Sequence, residues 1–364
     1  MIRTRLQGSC RTASKHTKGE QMSFSGRLSL LITGTIVIAV TSTAHADMGS
    51  APVDRGLYGG IEGGYLHQST EAVNGFGIVS PSGRIGEALV DPENGWFAGG
   101  MIGYARPNTN VMGLPVSRIE GYILFGRTED SLGASVGPYG DLTIKSANGN
   151  INVVGGARAS TSVERRTIEG GLRFERDEFS YEGGSLKDEP VRSNRNLTRV
   201  ISPFFRYMEE DTDTEVRGCC SAFRSSSVEN KMYGVMAALE PEYWHTSRIA
   251  LVGRLGVGVY GYSADGSFRS YSQSPFVPDP FAASVSDDES GVGFRGSLGA
   301  ALKFKLTEAS RIETFAEADY FSAVGTAAFS NANPTNGRAS RVEIDDMWEL
   351  RAGVRLTIGF GDAN

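Results

Sequence analysis

From residue 56 onward the chain repeats one unit: ten to fifteen residues alternating apolar with polar or small positions, then a polar segment. The last unit is the clearest. Trp348, Leu350, Ala352, Val354, Leu356, Ile358 and Phe360 fall on one face, and Glu349, Arg351, Gly353, Arg355 and Thr357 on the other. A period of two is the mark of a β-strand, because successive side chains point to opposite sides. This strand is longer than the roughly five or six residues usual in soluble proteins. It suits a tilted strand crossing a bilayer, which takes about nine to eleven.

Nine further segments carry the pattern. Five are clear: Ile119 to Phe125, Ile168 to Phe174, Ile249 to Val259, Val292 to Leu306 and Ile312 to Tyr320. Four are weaker: Leu57 to Leu66, Trp96 to Arg106, Leu197 to Met208 and Tyr233 to Tyr243. Pro203 interrupts the Leu197 segment, where Arg199 and Arg206 also have opposite parity. The total predicts ten strands. A hairpin of Asp141 to Ser146 with Asn150 to Val154 leaves twelve open.

The connections alternate in length. Short ones lie at Thr307 to Ala309, Trp244 to Ser247 and around Pro107 to Pro115. Long ones cover His67 to Asn94, Thr128 to Ser162, Glu209 to Asn230, Ser263 to Ser290 and Ala323 to Asp346. Short turns on one side and long loops on the other predict a periplasmic and an extracellular face. Asp177 to Asn196 breaks the rule, being long where a short turn is due. Trp96, Tyr104, Tyr233, Tyr243, Trp348 and Phe360 sit near strand ends, as interfacial aromatic girdles do. The soluble alternative is a periplasmic sandwich or lipocalin-like barrel with the apolar face as its core; strands this long argue against it.

The N-terminus changes the picture by adding export. Leu28 to Val40 is apolar, follows Arg27, and leads into Ala44-His45-Ala46, which reads as a cleavage site before Asp47. Residues 1–46 are therefore expected to be a signal peptide, with Met22 as a possible true start, and 47–364 a barrel with long extracellular loops. The alternative, a retained helical anchor, has too short an apolar core. The net charge is −6, and the leader holds six basic residues and one acid, so the remainder is still more acidic. That argues against nucleic acid as a partner, since backbone binding needs a basic stripe. Beyond the leader only Cys219 and Cys220 remain, adjacent in a polar stretch. Two neighbouring thiols make neither a disulfide framework nor a metal site. No cofactor is expected.

The closing strand resembles those of bacterial outer-membrane β-barrels, including porin-like families. Val354, Leu356, Ile358 and Phe360 are similar to the aromatic-ended last strand that the outer-membrane assembly machinery recognises, although Gly361-Asp362-Ala363-Asn364 follow the Phe. The resemblance covers architecture only. It implies an all-β antiparallel transmembrane barrel in the outer membrane, with outer-membrane lipid, lipopolysaccharide and that machinery as partners.

Most local motifs fall away. Gly256-Val257-Gly258-Val259-Tyr260-Gly261 matches G-x-G-x-x-G but lies inside an alternating strand rather than in a turn opening a helix. His67 near Glu71, and His245 between Glu242 and Ser247, form no recognisable catalytic arrangement, which points to a protein that is not an enzyme. Acidic runs (Glu209-Glu210-Asp211, Asp287-Asp288-Glu289, Asp345-Asp346) border the long connections, and S-P-F-V-P-D-P-F over 274–281 forms a Pro-rich loop.

The informative chemistry is the mixed-sign face. Arg118, Glu120, Glu169, Arg173, Arg254, Arg295, Lys303, Glu313, Glu317, Arg351 and Arg355 are all predicted to line the lumen. Barrel interiors tolerate charge because water fills them or ions pair there. The functional expectation is a narrow charge-lined pore for passive diffusion of small solutes. An ion-paired, closed lumen with a surface structural or adhesive role is the alternative, and an outer-membrane hydrolase the third.

Overall fold

The structure, a computed structural model, describes residues 56–70, 73–79, 85–90, 93–111, 114–135, 141–146, 149–154, 156–182, 194–218, 221–273, 281–307, 309–329 and 340–360. The expected signal peptide, Cys219, Cys220, residues 274–280 and residues 361–364 lie outside them. Every described element is a strand: β1 (Gly56–Ser69), β2 (Val73–Val79), β3 (Ile85–Val90), β4 (Asn94–Val111), β5 (Leu114–Ser135), β6 (Asp141–Ser146), β7 (Gly149–Val154), β8 (Arg158–Glu182), β9 (Asn194–Arg217), β10 (Ser221–Trp244), β11 (Ile249–Gln273), β12 (Phe281–Thr307), β13 (Ser310–Phe329) and β14 (Ser340–Phe360).

Ten of them close an antiparallel ring in the order β1-β14-β13-β12-β11-β10-β9-β8-β5-β4. The first and last strands seal it, with Leu57 opposite Phe360 and Ser69 opposite Trp348. The hairpin that left twelve strands open does form, as β6 and β7. It joins β2 and β3 in a separate four-stranded sheet instead of entering the ring.

Period-two alternation fixes which side each residue faces. Along β14, Trp348, Leu350, Val354, Ile358 and Phe360 are exposed while Glu349, Arg351 and Thr357 are buried. Ile61, Ile102, Leu172, Val235, Leu255, Val257, Val292, Leu298 and Leu302 extend the exposed apolar surface around the ring. Such a continuous belt is unstable in water and stable in lipid. The aromatic residues Trp96, Tyr104, Tyr233, Tyr243, Trp348 and Phe360 are all exposed at its borders. At one end the strands are joined tightly, as at Trp244 to Ile249 and at Thr307 to Ser310.

At the other end the expected long loops are corrected. Within Glu209 to Asn230 the ladder runs from Glu209 opposite Glu229 to Arg217 opposite Ser221. Ser263 to Ser290 likewise pairs as far as Ser272 and Phe281, and Thr128 to Ser162 as far as Ser135 and Arg158. Ala323 to Asp346 pairs from Val324–Asp345 to Phe329–Ser340. His67 to Asn94 contributes β2 and β3. Sheet therefore continues well beyond the apolar belt.

Pro203 sits mid-strand, opposite Val235. Proline has no N–H to give a ladder, and the β8–β9 register accordingly passes from Gly171–Phe204 to Phe174–Ile201. The opposite parity of its neighbours is explained: Arg206 is buried inside and Arg199 is exposed. The glycines of the G-x-G-x-x-G match lie within β11; a Cβ at Gly258 would stand 2.8 Å from the Val235 carbonyl oxygen. Close strand approach accounts for that glycine.

Candidate functional site inside the barrel

The interior is built in four layers. The middle of the bore holds a charged network. Arg206 on β9 donates from Nη1 to Glu169 on β8 at 3.0 Å and from Nη2 to Glu349 on β14. Arg295 on β12 donates to Glu169 at 3.0 Å and to Asp319 on β13 at 2.8 Å. Arg351 donates to Asp319 at 2.8 Å and to Glu317 at 3.1 Å, and Arg254 lies 2.9 Å from Glu317. Gln68 Nε2 donates to Glu349 at 2.7 Å. Four arginines thus meet four carboxylates, and the layer balances to neutrality. In the ring, β9 and β14 are separated by four strands in either direction. The Arg206–Glu349 pair therefore spans the whole bore.

Toward the short-turn end lies a looser charged layer. Arg173 donates to Glu240 at 2.8 Å and approaches Glu175 at 3.1 Å and Glu120 at 3.8 Å. Arg118 lies 3.6 Å from Glu175, and Tyr58 donates to Glu120 at 3.2 Å. Arg355 pairs with Glu62 at 2.6 Å and with Glu313 at 3.5 Å. A cavity of about 80 Å³ opens here, lined among others by Arg118, Glu120, Arg173, Lys303, Glu313 and Arg355.

On the far side of the network the interior mixes apolar clusters with buried polar side chains, among them the Arg165–Glu210 pair, Thr212 and Thr214. Phe204, Met208, Met232, Met236, Tyr260, Phe321, Val324 and Met347 form one buried cluster. The guanidinium of Arg206 lies 4.5 Å from the Phe321 ring centre, and that of Arg295 lies 4.9 Å from it. Those rings cover the buried cations on the side without carboxylates. Beyond them Val90, Val163, Val228, Ala264, Phe268, Ala327 and Val342 form a second apolar cluster.

That second cluster exists because one hairpin leaves the wall. The β12–β13 ladder ends at Arg295–Phe321, and the β1–β14 ladder ends at Ser69–Trp348. Past those points β13 and β14 pair, among the described residues, only with each other, after a bulge between Phe321 and Val324. Phe321, Ala323, Val324, Thr326, Ala327, Ser340, Val342 and Met347 are all buried. Two inward side chains hold the turned-in backbone. The Tyr260 hydroxyl donates to the Ala323 carbonyl at 2.9 Å and accepts from its N–H at 3.0 Å. The Asn230 amide pairs with both backbone groups of Gly325, at 2.8 and 2.6 Å. A Cβ on Gly325 would stand 2.5 Å from that of Ala264, so only glycine fits so close to the wall.

This is the fold of an outer-membrane β-barrel. No family model matches the chain, and no curated relative matches it. Among solved structures, the outer membrane protease OmpT from Escherichia coli is similar at 10% identity, with a TM-score of 0.41, over 88% of this chain and 100% of that one. A Pseudomonas aeruginosa FadL homologue is similar at 9% identity and a TM-score of 0.24, over 84% and 90%. The Pseudomonas putida toluene transporter TodX follows at 7% and 0.18, over 86% and 93%. At these identities the likeness concerns the fold alone.

All eleven residues named from sequence as lumen-lining point into the ring, and each lies within reach of an opposite charge or borders the charged cavity. Lys303 stands opposite Glu313 in the ladder, yet its ammonium turns to Glu242 at 3.4 Å while Arg355 takes Glu313. At the turn Thr307 pairs with Ser310 across a register shift. Sequence reasoning missed Arg206, Glu349 and Asp319 as network members. Parity flagged the last two, whereas Pro203 obscured Arg206. Arg165 and Glu210, a fully buried pair at 2.6 Å, were also missed: Glu210 lies in a segment read as a loop, and Arg165 falls between the Thr128–Ser162 connection and the strand read from Ile168. His67 lies 3.3 Å from Asn94 at the outer surface, and His245 is exposed in a turn.

Proposed function

We propose that the protein is a closed outer-membrane barrel that acts at the cell surface through the sheet extending beyond its apolar belt. The observation that carries this reading is the Arg206–Glu349 pair, both side chains at most 3% exposed, spanning the bore beneath two apolar layers. A conducting lumen needs a continuous wet path, and a neutral ion-paired layer roofed by packed side chains offers none. The short-turn end faces the periplasm in this reading and the extended sheet faces outward. Outer-membrane lipid and lipopolysaccharide surround the belt, and the assembly machinery reads the closing strand through Val354, Leu356, Ile358 and Phe360. The protein is read as a binding or structural component rather than an enzyme.

A narrow pore for small solutes is the second reading, favoured by the charged cavity of about 80 Å³ at the short-turn end. Planar-bilayer recording separates the two. The closed barrel predicts silence from wild-type protein that migrates as a folded, heat-modifiable species. Stepwise conductance that shifts on Arg254→Glu or Arg351→Glu would replace it with the pore.

A further inference from the structure

The turned-in hairpin leaves a gap in the wall. Beyond Arg295, β12 continues to Phe281 paired with β11 alone. Among the described residues no strand pairs with its other side there. Phe294 N–H donates to the Ser322 hydroxyl at 2.8 Å, and the Asp287 carboxylate accepts from Val342 N–H at 3.1 Å. Between them Asp288, Glu289, Ser290, Gly291 and Val292 are all exposed. A long open edge presents alternate N–H and C=O groups to any extended chain.

Charge on the outward face selects the occupant. Across four neighbouring strands at one level stand Glu209, Glu229, Asp265 and Asp288, each opposite the next. Lys231 answers this row from one level away, 3.5 Å from Glu229 and 3.3 Å from Asp265. It does not reach Asp288, the last member, which stands at the open edge. A strand added there would place one residue directly beside Asp288, where a cation is favoured and an anion opposed. A second copy docking edge to edge would set Asp287-Asp288-Glu289 against itself, which the same rule disfavours.

We infer that the part of β12 beyond the belt, from Phe281 to Gly291, captures an extended segment of a partner protein by strand addition, with a Lys or Arg of that segment facing Asp288. The inference rests on the reading of a barrel that works through its outer sheet.

The test uses full-length protein in detergent and a synthetic peptide alternating lysine with valine and threonine. Amide hydrogen exchange is followed across β12. The peptide is expected to slow exchange at alternate amides between residues 282 and 291 and nowhere else in the barrel wall. Asp288→Lys combined with Glu289→Lys is expected to weaken binding about tenfold while heat-modifiable migration is kept. A peptide N-methylated at alternate amides is expected not to bind. Equal binding of the N-methylated peptide would reduce the effect to charge attraction and overturn strand addition, as would protection elsewhere or none at all. Protection without peptide, accompanied by a doubled mass, would overturn it in favour of self-association. None of these failures alters the conductance result, so the closed-barrel reading stands or falls separately.

Discussion

Arg206 on β9 and Glu349 on β14 are joined by a buried ion pair although they lie on opposite sides of the ten-stranded ring. Their attraction crosses the interior and cannot be replaced by a shift within the wall. Removing one partner of such a pair strands the other charge, at a cost of about 3–5 kcal/mol. Arg206→Ala is expected to destabilise the barrel by that order in urea unfolding. Replacing both by methionine should recover much of the loss, since the carboxylate is then no longer left alone. An Arg206→Ala barrel as stable as wild type would mean that water reaches Glu349 and the bore is open.

Tyr260 and Asn230 hold the turned-in hairpin by its backbone. Tyr260→Phe keeps the ring against Phe204 and Phe321 but leaves two backbone groups of Ala323 without their partner. Each buried unsatisfied group costs about 1–3 kcal/mol. Faster amide exchange is expected over residues 322–327, with the belt unchanged. Uniform protection in the variant would show that packing alone retains the hairpin.

Gly325 touches the inner wall at Ala264. Gly325→Ala forces the hairpin away, and overpacking of this kind costs about 1–3 kcal/mol. Trypsin is expected to cut after Arg341 in this variant sooner than in wild type. The double variant Gly325→Ala with Ala264→Gly should restore resistance.

Leu302 is exposed on the belt face and Lys303 is turned inward. Lysine on the lipid side costs about 2–4 kcal/mol near the midplane and less toward the interface. Leu302→Lys should reduce the heat-modifiable fraction. The swap of Lys303→Glu with Glu242→Lys, which preserves the observed pair, should not. The reverse result would invert the inside and outside of the barrel.

Burial and the neighbouring Asp211 hold the Glu209 carboxyl, beyond the belt, above the ordinary carboxylate range. A carboxyl raised on folding adds stability below its unfolded value and loses it as pH rises through the folded value. Glu209→Gln is therefore expected to stabilise the barrel at neutral pH and to match wild type below about pH 4. Chemical unfolding at both pH values reads the difference. A pH-independent effect would point to packing instead.

The strands of the belt, and their inside and outside, are legible in the sequence; the choice of ten over twelve in the ring came from the structure, where β6 and β7 join a separate sheet. In the belt one side meets lipid and the other meets charge, so alternation between Leu350 and Arg351 is written at full contrast. Beyond the belt both faces are polar. Along β9, Glu210, Thr212 and Thr214 point in while Glu209, Asp211 and Asp213 point out, and a hydrophobic period cannot register such a strand. That is why sheet there reads as loop.

Only the tertiary structure decided which charges meet. Neighbouring strands set the ladder, and the ladder puts Lys303 opposite Glu313. Long side chains in a closed ring also reach non-adjacent strands, so Lys303 turns to Glu242 and Arg206 crosses to Glu349. The turned-in hairpin depends in the same way on contacts distant in sequence, with Asn230 and Tyr260 meeting residues 95 and 63 positions away. Such a network is a property of the ring as a whole, and no single strand encodes it.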